Sequence, residues 1–315
     1  MRTQILSAIE SHSIITIFRH GHPDHDALGS QFGLAYWLKE NYPEKQIYCL
    51  GQERMHNDLY PFSDEVSDEM IASSLAIVVD TAGLHRVDDS RFINAAYKIR
   101  IDHHPQYDEG YDLQHVVSDA GSCSEIITDL IISYDKTISD KTAETLLRGI
   151  IADTLGFRTT NTTAYSLRMA SVLAEYNVDL PQINREVFDT TQRRFELGTT
   201  FRSKAVIEQG LIYLILSKEE CDELNITSTT AKELVAQFGG VKEFEVWAIF
   251  AQNTEGQYEG SLRSKTVTIN DIASAYGGGG HKNACGIKGL SLQQVHQLLG
   301  DIKERLVNNN EPTKL

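Results

Sequence analysis

The chain has 315 residues, of which 41% are hydrophobic and 23% charged, and its formal net charge is −15 because 44 acidic side chains outnumber 29 basic ones. This length favours two domains over one, and the negative balance argues against a broad basic surface for long nucleic acid. No apolar run approaches the roughly 20 residues of a membrane helix, and four widely spaced cysteines without a CxxC pair indicate a reduced, cytoplasmic protein without a disulfide framework or zinc cage.

Up to about residue 189, short β-branched runs alternate with longer helical patterns. The predicted strands are 14–18, 46–50, 75–80 and 97–102. The predicted helices are 27–39, 124–134, 141–152, 163–176 and 180–188. Strands that alternate with helices indicate βαβ units and a mostly parallel sheet with both faces covered.

The alternation of short apolar runs and helical patterns ends after residue 189. The segment 190–204 is polar and compatible with a linker helix. Strands are expected at 206–216, 244–250 and 258–263, and an amphipathic helix at 291–306. The sequence therefore predicts an α/β protein with an N-terminal parallel-sheet domain at 1–189, a linker at 190–204, and a smaller C-terminal α/β domain with a mixed sheet at 205–315.

Acidic and histidine residues follow four of the apolar runs in the first domain. They are the HGHPDHD segment at 20–26, Asp80, the triplet Asp102-His103-His104, and Asp153. Each alone could be a helix cap, a turn or a solvated loop. Because the carboxyl ends of parallel strands form the ligand crevice of an open sheet, the first three are expected to converge at one edge, and Asp153 can join them from a helix end.

Convergence of these residues would bring four carboxylates together. The carboxylates are those of Asp24, Asp26, Asp80 and Asp153. Carboxylates this close cannot all ionise without cations, and two divalent metals would balance them, with His20 and His103 completing the coordination. Oxygen and imidazole ligands without thiolate suit Mn²⁺, with Mg²⁺ possible. Such a pair of ions is suited to in-line attack on phosphorus.

The motifs of the first domain resemble those of the DHH phosphoesterase superfamily: HGHPDHDALGS, VVDTA, IDHHP and GIIADTLGFR. Two C-terminal segments resemble its companion DHHA1 domain: GSLRS and GGGGHKNACG. The similarity extends from about residue 14 to residue 288. The two-domain layout is most similar to the bacterial nano-RNase (oligoribonuclease) / 3′-phosphoadenosine-5′-phosphate phosphatase group.

This resemblance implies a catalytic first domain with a ligand set for two manganese ions. The ligands are His20 and Asp24 for one ion, Asp26, His103 and Asp153 for the other, and Asp80 as the bridge. His104 would lie beside the scissile phosphate as a charge stabiliser or general acid. Asp102 would orient a histidine ring from outside the coordination. The implied activity is hydrolysis of short oligoribonucleotides and 3′-phosphoadenosine-5′-phosphate by water that two metals activate.

The chain departs from the family pattern at three positions. Where Asn and Gly are common, His22 and His25 could tune metal affinity or face solvent, and we expect the second. After Asp153 the family often has Thr-Gly-x-Phe, whereas this chain has Thr-Leu-Gly-Phe with Leu155 at the glycine position. The shape of that loop is therefore open.

Glycine-rich and basic residues in the second domain predict a phosphate site, because glycine adopts positive φ and exposes amides that bind anions. By resemblance to DHHA1 domains, the residues that bind a substrate phosphate or terminal nucleotide are Arg263, Ser264, Gly278, Gly279, Gly280 and His281. Cys285 is expected to pack in the core. Since only this local patch favours anions on a chain of charge −15, short substrates are expected.

Several alternatives share the same motifs. A cyclic-di-AMP or pApA phosphodiesterase would use the same metal ligands, so the sequence does not separate it from the first hypothesis. A RecJ-type exonuclease or a DHHA2-type pyrophosphatase is disfavoured by chain length and by the GGGGHKNACG segment. A non-catalytic nucleotide sensor would have degenerate ligands, and none of the expected positions is replaced. The expected partner is a short RNA or nucleotide, without long nucleic acid or membrane, and a homodimer is left open.

Overall fold

A computed structural model describes residues 1–55, 58–104 and 109–310 of the chain, without the side chains of His281, Asn309 and Asn310. The chain divides into two compact units, Met1–Asp189 and Thr190–Leu315. Among the described residues, none of the helices has both the length and the apolar character needed to cross a membrane.

The first unit is built on a five-stranded sheet in the order β2-β1-β3-β4-β5. Its strands are β1 (Ile14–Phe18), β2 (Gln46–Cys49), β3 (Leu75–Val79), β4 (Tyr97–Asp102) and β5 (Leu113–Val116). Every pairing is parallel. The central strand β3 is buried at every residue, as expected when helices cover both faces of a parallel sheet. The predicted parallel-sheet fold is confirmed.

Seven α-helices accompany this sheet in the described part of the first unit. They are α1 (Arg2–Ser11), α2 (His25–Asn41), α3 (Asp68–Ala72), α4 (Cys123–Ile132), α5 (Asp140–Asp153), α6 (Ala164–Leu173) and α7 (Leu180–Phe188). Glycines let the helices around α2 and α5 approach closely. A Cβ at Gly33 would lie 2.6 Å from the Leu146 side chain, and one at Gly149 would lie 2.1 Å from the Ser124 hydroxyl. This close packing fixes the position of the end of α5, which carries Asp153.

The second unit contains a six-stranded mixed sheet in the order β10-β11-β9-β8-β7-β6. Its strands are β6 (Val206–Glu208), β7 (Leu211–Leu216), β8 (Val246–Gln252), β9 (Tyr258–Ser264), β10 (Gly279–His281) and β11 (Ala284–Leu290). Its helices are α8 (Gln192–Lys204), α9 (Lys218–Glu223), α10 (Ser228–Glu233), α11 (Asn270–Ala275) and α12 (Leu292–Asn310). The segment expected to be a linker is α8, and its Leu197 and Phe201 are buried in the core of this unit.

The predicted strand 206–216 is wrong in one respect, because it is a hairpin of two antiparallel strands. Gln209 and Gly210, the two residues between β6 and β7, have φ of 49° and 85°. Two successive residues with positive φ form the tight turn that matches the twist of a hairpin. The glycine at the second position was the sequence signal for this turn.

Candidate metal centre

The acidic and histidine segments lie together at the carboxyl edge of the first sheet. β1, β3 and β4 are neighbours in the sheet. β1 ends two residues before His20, β3 ends directly before Asp80, and β4 ends at Asp102. Asp153 joins them from the last residue of α5. The strand order thus explains why residues far apart in the sequence meet at one place.

Asp80 lies between two sets of potential ligands. Its Oδ2 is 3.4 Å from Nε2 of His20, and its Oδ1 is 3.3 Å from Nε2 of His103. Three groups of residues have ligand atoms close enough to hold a metal ion: His20, Asp24 and Asp80; Asp26, His103 and Asp153; and Asp80, Asp102, His103 and His104. The first two groups contain the residues expected to hold separate ions, and the bridging role of Asp80 stays a prediction.

Main-chain carbonyls orient the two histidines at this cluster. Nδ1 of His20 is 2.7 Å from the carbonyl oxygen of Gly21, and Nδ1 of His103 is 3.3 Å from that of Ala120. Because a carbonyl oxygen only accepts, each Nδ1 carries a proton, and Nε2 is the atom that can bind a metal once its own proton has been displaced.

Main-chain amides orient two of the carboxylates. Oδ1 of Asp24 accepts hydrogen bonds from the amides of Asp26 and Ala27 and so caps α2, while Oδ2 points to His20 at 3.9 Å. Asp26 accepts hydrogen bonds from the amides of Cys123 and Ser124, the first residues of α4, at 2.6 and 2.9 Å. The loop and the helix start therefore hold both side chains before any ligand binds.

The protonation of the cluster indicates that it is deficient in positive charge. Burial lowers the pKa of His20, but Asp80 and Asp24 outweigh this effect and raise the pKa to about 9. Burial and the charge of Asp80 raise the pKa of Asp26 to about 7. Burial raises the pKa of Asp80, but His103 and His20 outweigh this effect and keep the pKa below its usual range. His20 and Asp26, which surround Asp80, therefore retain protons at positions where cations could bind.

A further observation fits a cation. Within the described residues, the buried Oδ1 atom of Asp80 has no hydrogen bond of good geometry, although Nε2 of His103 lies 3.3 Å away. A buried carboxylate oxygen without a donor is costly unless an ion completes its environment. The donor set and this oxygen together fit a divalent metal.

Asp102 and His104 are hydrogen-bonded to each other at the edge of the cluster. Asp102 is fully buried, and its Oδ1 accepts hydrogen bonds from the His104 amide and from Nδ1 of His104, at 3.0 and 2.9 Å. Oδ2 accepts two hydrogen bonds from Arg100. Asp102 thus contacts the His104 ring through Nδ1, and its role as an orienting residue outside the coordination stays a prediction.

The two unusual histidines have different surroundings. The side chain of His22 is 95% exposed, and its Nδ1 lies 2.9 Å from Oε2 of Glu53. His25 is half-buried, and its Nδ1 lies 3.1 Å from the hydroxyl of Tyr60. Burial and the charge of Arg148 lower the pKa of His25 to about 4. Among the described residues, neither histidine belongs to a group that could hold a metal.

The loop after Asp153 keeps a left-handed turn despite the missing glycine. Leu155 has φ of 49°, and its amide donates to the carbonyl of Ala152, while the Gly156 amide donates to that of Ile151. These bonds form a Schellman motif at the end of α5. Leu155 occupies the position where glycine is favoured, so this backbone is strained beside a candidate ligand.

Replacing Leu155 by glycine is expected to stabilise the first unit by about 0.5–1 kcal/mol, because glycine removes the left-handed strain at some cost in unfolded-state entropy. Gly156, with φ of 66°, offers the opposite substitution, and Gly156→Ala should destabilise by a similar amount. Thermal and urea unfolding of both variants measure the two effects. A lower midpoint for Leu155→Gly would contradict this account of the turn.

The predicted phosphate residues of the second unit lie at the end of β9 and on or directly before β10, and β11 lies between these two strands. Arg263 is partly buried, and burial lowers the pKa of its guanidinium. Its Nη1 donates to the carbonyl oxygens of Leu262 and Cys285, at 2.8 and 3.5 Å. The Ser264 hydroxyl donates to the carbonyl of Val267 and accepts from Asn283, so it already stabilises its own turn. Cys285 is buried, as expected.

The three predicted glycines differ in how closely other atoms approach them. A Cβ at Gly280, whose φ is 137°, would lie 2.3 Å from the carbonyl oxygen of Ala284, and one at Gly278 would lie 2.5 Å from Ile287. These two glycines permit close strand packing, whereas Gly279 borders open space. Gly278 and Gly279 line a groove of about 340 Å³, whereas Arg263, Ser264 and Gly280 are not among the described residues that line it. The His281 side chain lies outside the described residues.

The groove also contains three polar residues that sequence reasoning missed, Lys232, Ser261 and Lys288. Ser261 could have been found, because it precedes Arg263 by two residues in a strand and so shares its face. Lys232 lies on α10 and pairs with Glu259. Nothing in its local sequence pattern indicates its place in this groove.

Two family models match the chain. The model described as "DHH family, N-terminal domain" matches residues 14–150, and the "DHHA1 domain" model matches residues 208–308. The first covers the strands that carry His20, Asp80 and the Asp102 triplet. The second covers the sheet that carries Arg263 and the glycine-rich segment.

Curated relatives and a solved structure are similar over nearly the whole chain. A Streptococcus mutans protein named "Probable bifunctional oligoribonuclease and PAP phosphatase NrnA" is 35% identical over 96% of this chain and 98% of its own length. The Bacillus subtilis "Bifunctional oligoribonuclease and PAP phosphatase NrnA" is 32% identical over the same shares. An exopolyphosphatase-related protein from Bacteroides fragilis has the same fold, with a TM-score of 0.86 and 23% identity over 97% of both chains.

Proposed function

The chain belongs to the DHH phosphoesterase family with its companion DHHA1 domain, and on this basis we propose that it is a cytoplasmic, manganese-dependent enzyme that hydrolyses short oligoribonucleotides and 3′-phosphoadenosine-5′-phosphate. The observation that carries the proposal is Asp80, whose two oxygens face His20 and His103 in separate ligand groups. The names of the relatives support the substrate class. The four free, buried cysteines are compatible with a reducing compartment.

The proposed metal site uses the ligands expected from the motifs. His20 and Asp24 would hold one ion, and Asp80 would contact both. Asp26, His103 and Asp153 would hold the other. Two divalent cations, when bound, supply Lewis acidity for the phosphoryl oxygens and lower the pKa of water. Oxygen and imidazole donors without thiolate favour Mn²⁺.

The chain's own residues would position the phosphate and handle a proton. His104, fixed through Nδ1 by Asp102, would use its other nitrogen, Nε2, to stabilise charge or to protonate the leaving oxygen. In the second unit, which we propose binds substrate, Arg263 and the amide of Gly279 would bind a phosphate. Gly278, Gly280, Ser264 and His281 would shape the same site.

Short substrates are favoured by the charge distribution. The chain has a net charge of −15, so phosphates beyond the binding residues would meet few lysine or arginine side chains. Affinity for long nucleic acid depends on many such contacts. A dinucleotide or a nucleoside bisphosphate needs only a local site.

We expect the purified protein with Mn²⁺ to hydrolyse 3′-phosphoadenosine-5′-phosphate and a five-nucleotide RNA. The kcat/KM for a dinucleotide should exceed that for an RNA of about 20 nucleotides by about tenfold or more, because the long chain gains no further basic contacts. Release of phosphate and of mononucleotides measures both rates. The same assay includes pApA and cyclic di-AMP.

The substrates separate the proposal from its alternatives. Turnover of only pApA or cyclic di-AMP would support the phosphodiesterase alternative and overturn the proposed specificity. Equal efficiency on short and long RNA would overturn the size preference. Absence of turnover on every substrate by folded, metal-loaded protein would refute the enzyme assignment.

A further inference from the structure

We propose that Arg100 is a positioning residue that fixes His104 through Asp102; the catalytic consequence rests on the proposed function, whereas the structural consequence does not. Arg100 and Asp102 lie two residues apart on β4, so their side chains share a face of the strand. Both side chains are buried in the sheet. A fully buried arginine requires a specific partner, and Asp102 is that partner.

The carboxylate of Asp102 is divided between two neighbours. Oδ2 accepts hydrogen bonds from Nε and Nη2 of Arg100, at 3.0 and 2.6 Å. Oδ1 accepts hydrogen bonds from the amide and Nδ1 of His104, at 3.0 and 2.9 Å. The two N–H groups of Arg100 converge on Oδ2 and hold that oxygen in place, so that Oδ1 stays directed at the His104 ring.

Arg100 is itself held by two neighbouring segments. Nη1 is 3.5 Å from Oε1 of Gln114 on β5, and Nη2 is 3.4 Å from the carbonyl oxygen of Ala82, just after β3. Arg100 therefore joins the edge strand, β4 and the loop that follows Asp80. Through Arg100 and Asp102, the sheet thus restricts the movement of the His104 ring.

A purely structural ion pair would have similar distances, so the test must separate the two roles. If Arg100 acts through His104, its removal should have little effect once the imidazole is absent. If it only stabilises the fold, the two losses should multiply, because independent effects add as free energies. The variants are Arg100→Met, Arg100→Lys, His104→Ala and the Arg100→Met/His104→Ala double variant.

Arg91 provides a matched control. It also binds an aspartate two residues away, with Nε 3.0 Å and Nη2 2.7 Å from Asp89 oxygens, but among the described residues it is outside every candidate metal group. Arg91→Met removes the same charge and a comparable fork of N–H donors, at a partly exposed site. Its kcat should equal that of the wild-type protein.

We expect Arg100→Met to lower kcat by about 10- to 100-fold with bound Mn²⁺ unchanged, the usual cost of losing an outer-shell partner. In the His104→Ala background the same change should alter kcat less than about twofold. Arg100→Lys keeps the charge but not the fork, and should fall between the wild-type protein and Arg100→Met. It also serves as the test variant if Arg100→Met does not fold.

A spectroscopic measurement tests the geometry without activity. In protein labelled with ¹⁵N-histidine, the Nδ1 proton of His104, assigned by its loss in His104→Ala, should give a protected signal that disappears or shifts in Arg100→Met and persists in Arg91→Met. An unchanged signal, multiplying losses in the double variant, or loss of Mn²⁺ from Arg100→Met would each overturn the proposal. If the wild-type protein is inactive, the proposed function fails, and this signal alone still decides the role of Arg100.

Discussion

Replacing Asp80 by alanine is expected to reduce turnover of every substrate by about 10³-fold or more, because groups that act as one unit lose nearly all activity when one member is removed. The two oxygens of Asp80 face His20 and His103 in different ligand groups, so one substitution weakens both candidate ion sites. Bound manganese should fall from two ions towards none. Phosphate release and elemental analysis of the purified variant measure the two losses.

The fold should survive this substitution, because removing one carboxylate from a crowded cluster relieves repulsion among the others. Asp80→Asn is the conservative companion, since asparagine tolerates the φ of 48° at this position. Asp135→Asn, at an exposed aspartate, is the matched control and should behave as the wild-type protein. Full activity in a folded Asp80→Ala protein would contradict the bridging role.

Removing metal by chelation should abolish activity, and adding Mn²⁺ should restore it, with an affinity that rises with pH. In the metal-free protein the pKa of His20 is about 9 and that of Asp26 is about 7, so His20 is protonated at neutral pH and Asp26 is near half-protonation. Metal must displace these protons. The apparent affinity should therefore increase between pH 6 and pH 8, and proton release should decrease as the groups deprotonate.

Calorimetric titration with Mn²⁺ in two buffers of different ionisation enthalpy measures the released protons. Metal at about 100 times its dissociation constant should also stabilise the folded protein by about 2.7 kcal/mol, which thermal unfolding detects. Asp80→Ala should show neither strong binding nor this stabilisation. Binding without proton release at pH 6 would contradict the protonation described for the cluster.

The placement of the candidate site could be predicted because it depends on topology. His20, Asp80 and His103 each follow an apolar strand, and parallel strands bring such positions to one edge whatever the details of packing. Asp153 could be assigned only through its motif, since a helix end has no fixed place relative to a sheet. The metal-free distances agree with the expected grouping of ligands.

Other features could not be predicted from local patterns. Arg100 lies in a strand whose charged residues alternate with apolar ones, and only the structure shows that it is fully buried and paired with Asp102. The commitment of the Ser264 hydroxyl to Val267 depends on a turn without a distinctive sequence. β5 was missed because each of its residues is only half-buried, so it has no continuous apolar run.

Main-chain groups, which do not depend on side-chain identity, orient several of the candidate ligands. The carbonyls of Gly21 and Ala120 hold two rings, and the amides of Cys123 and Ser124 hold Asp26. Every amino acid except proline supplies the same amide, and every one supplies the same carbonyl. Substitutions at these anchoring positions can accumulate over evolutionary time without reorienting the ligands, provided that the backbone path is kept and proline does not enter the start of α4.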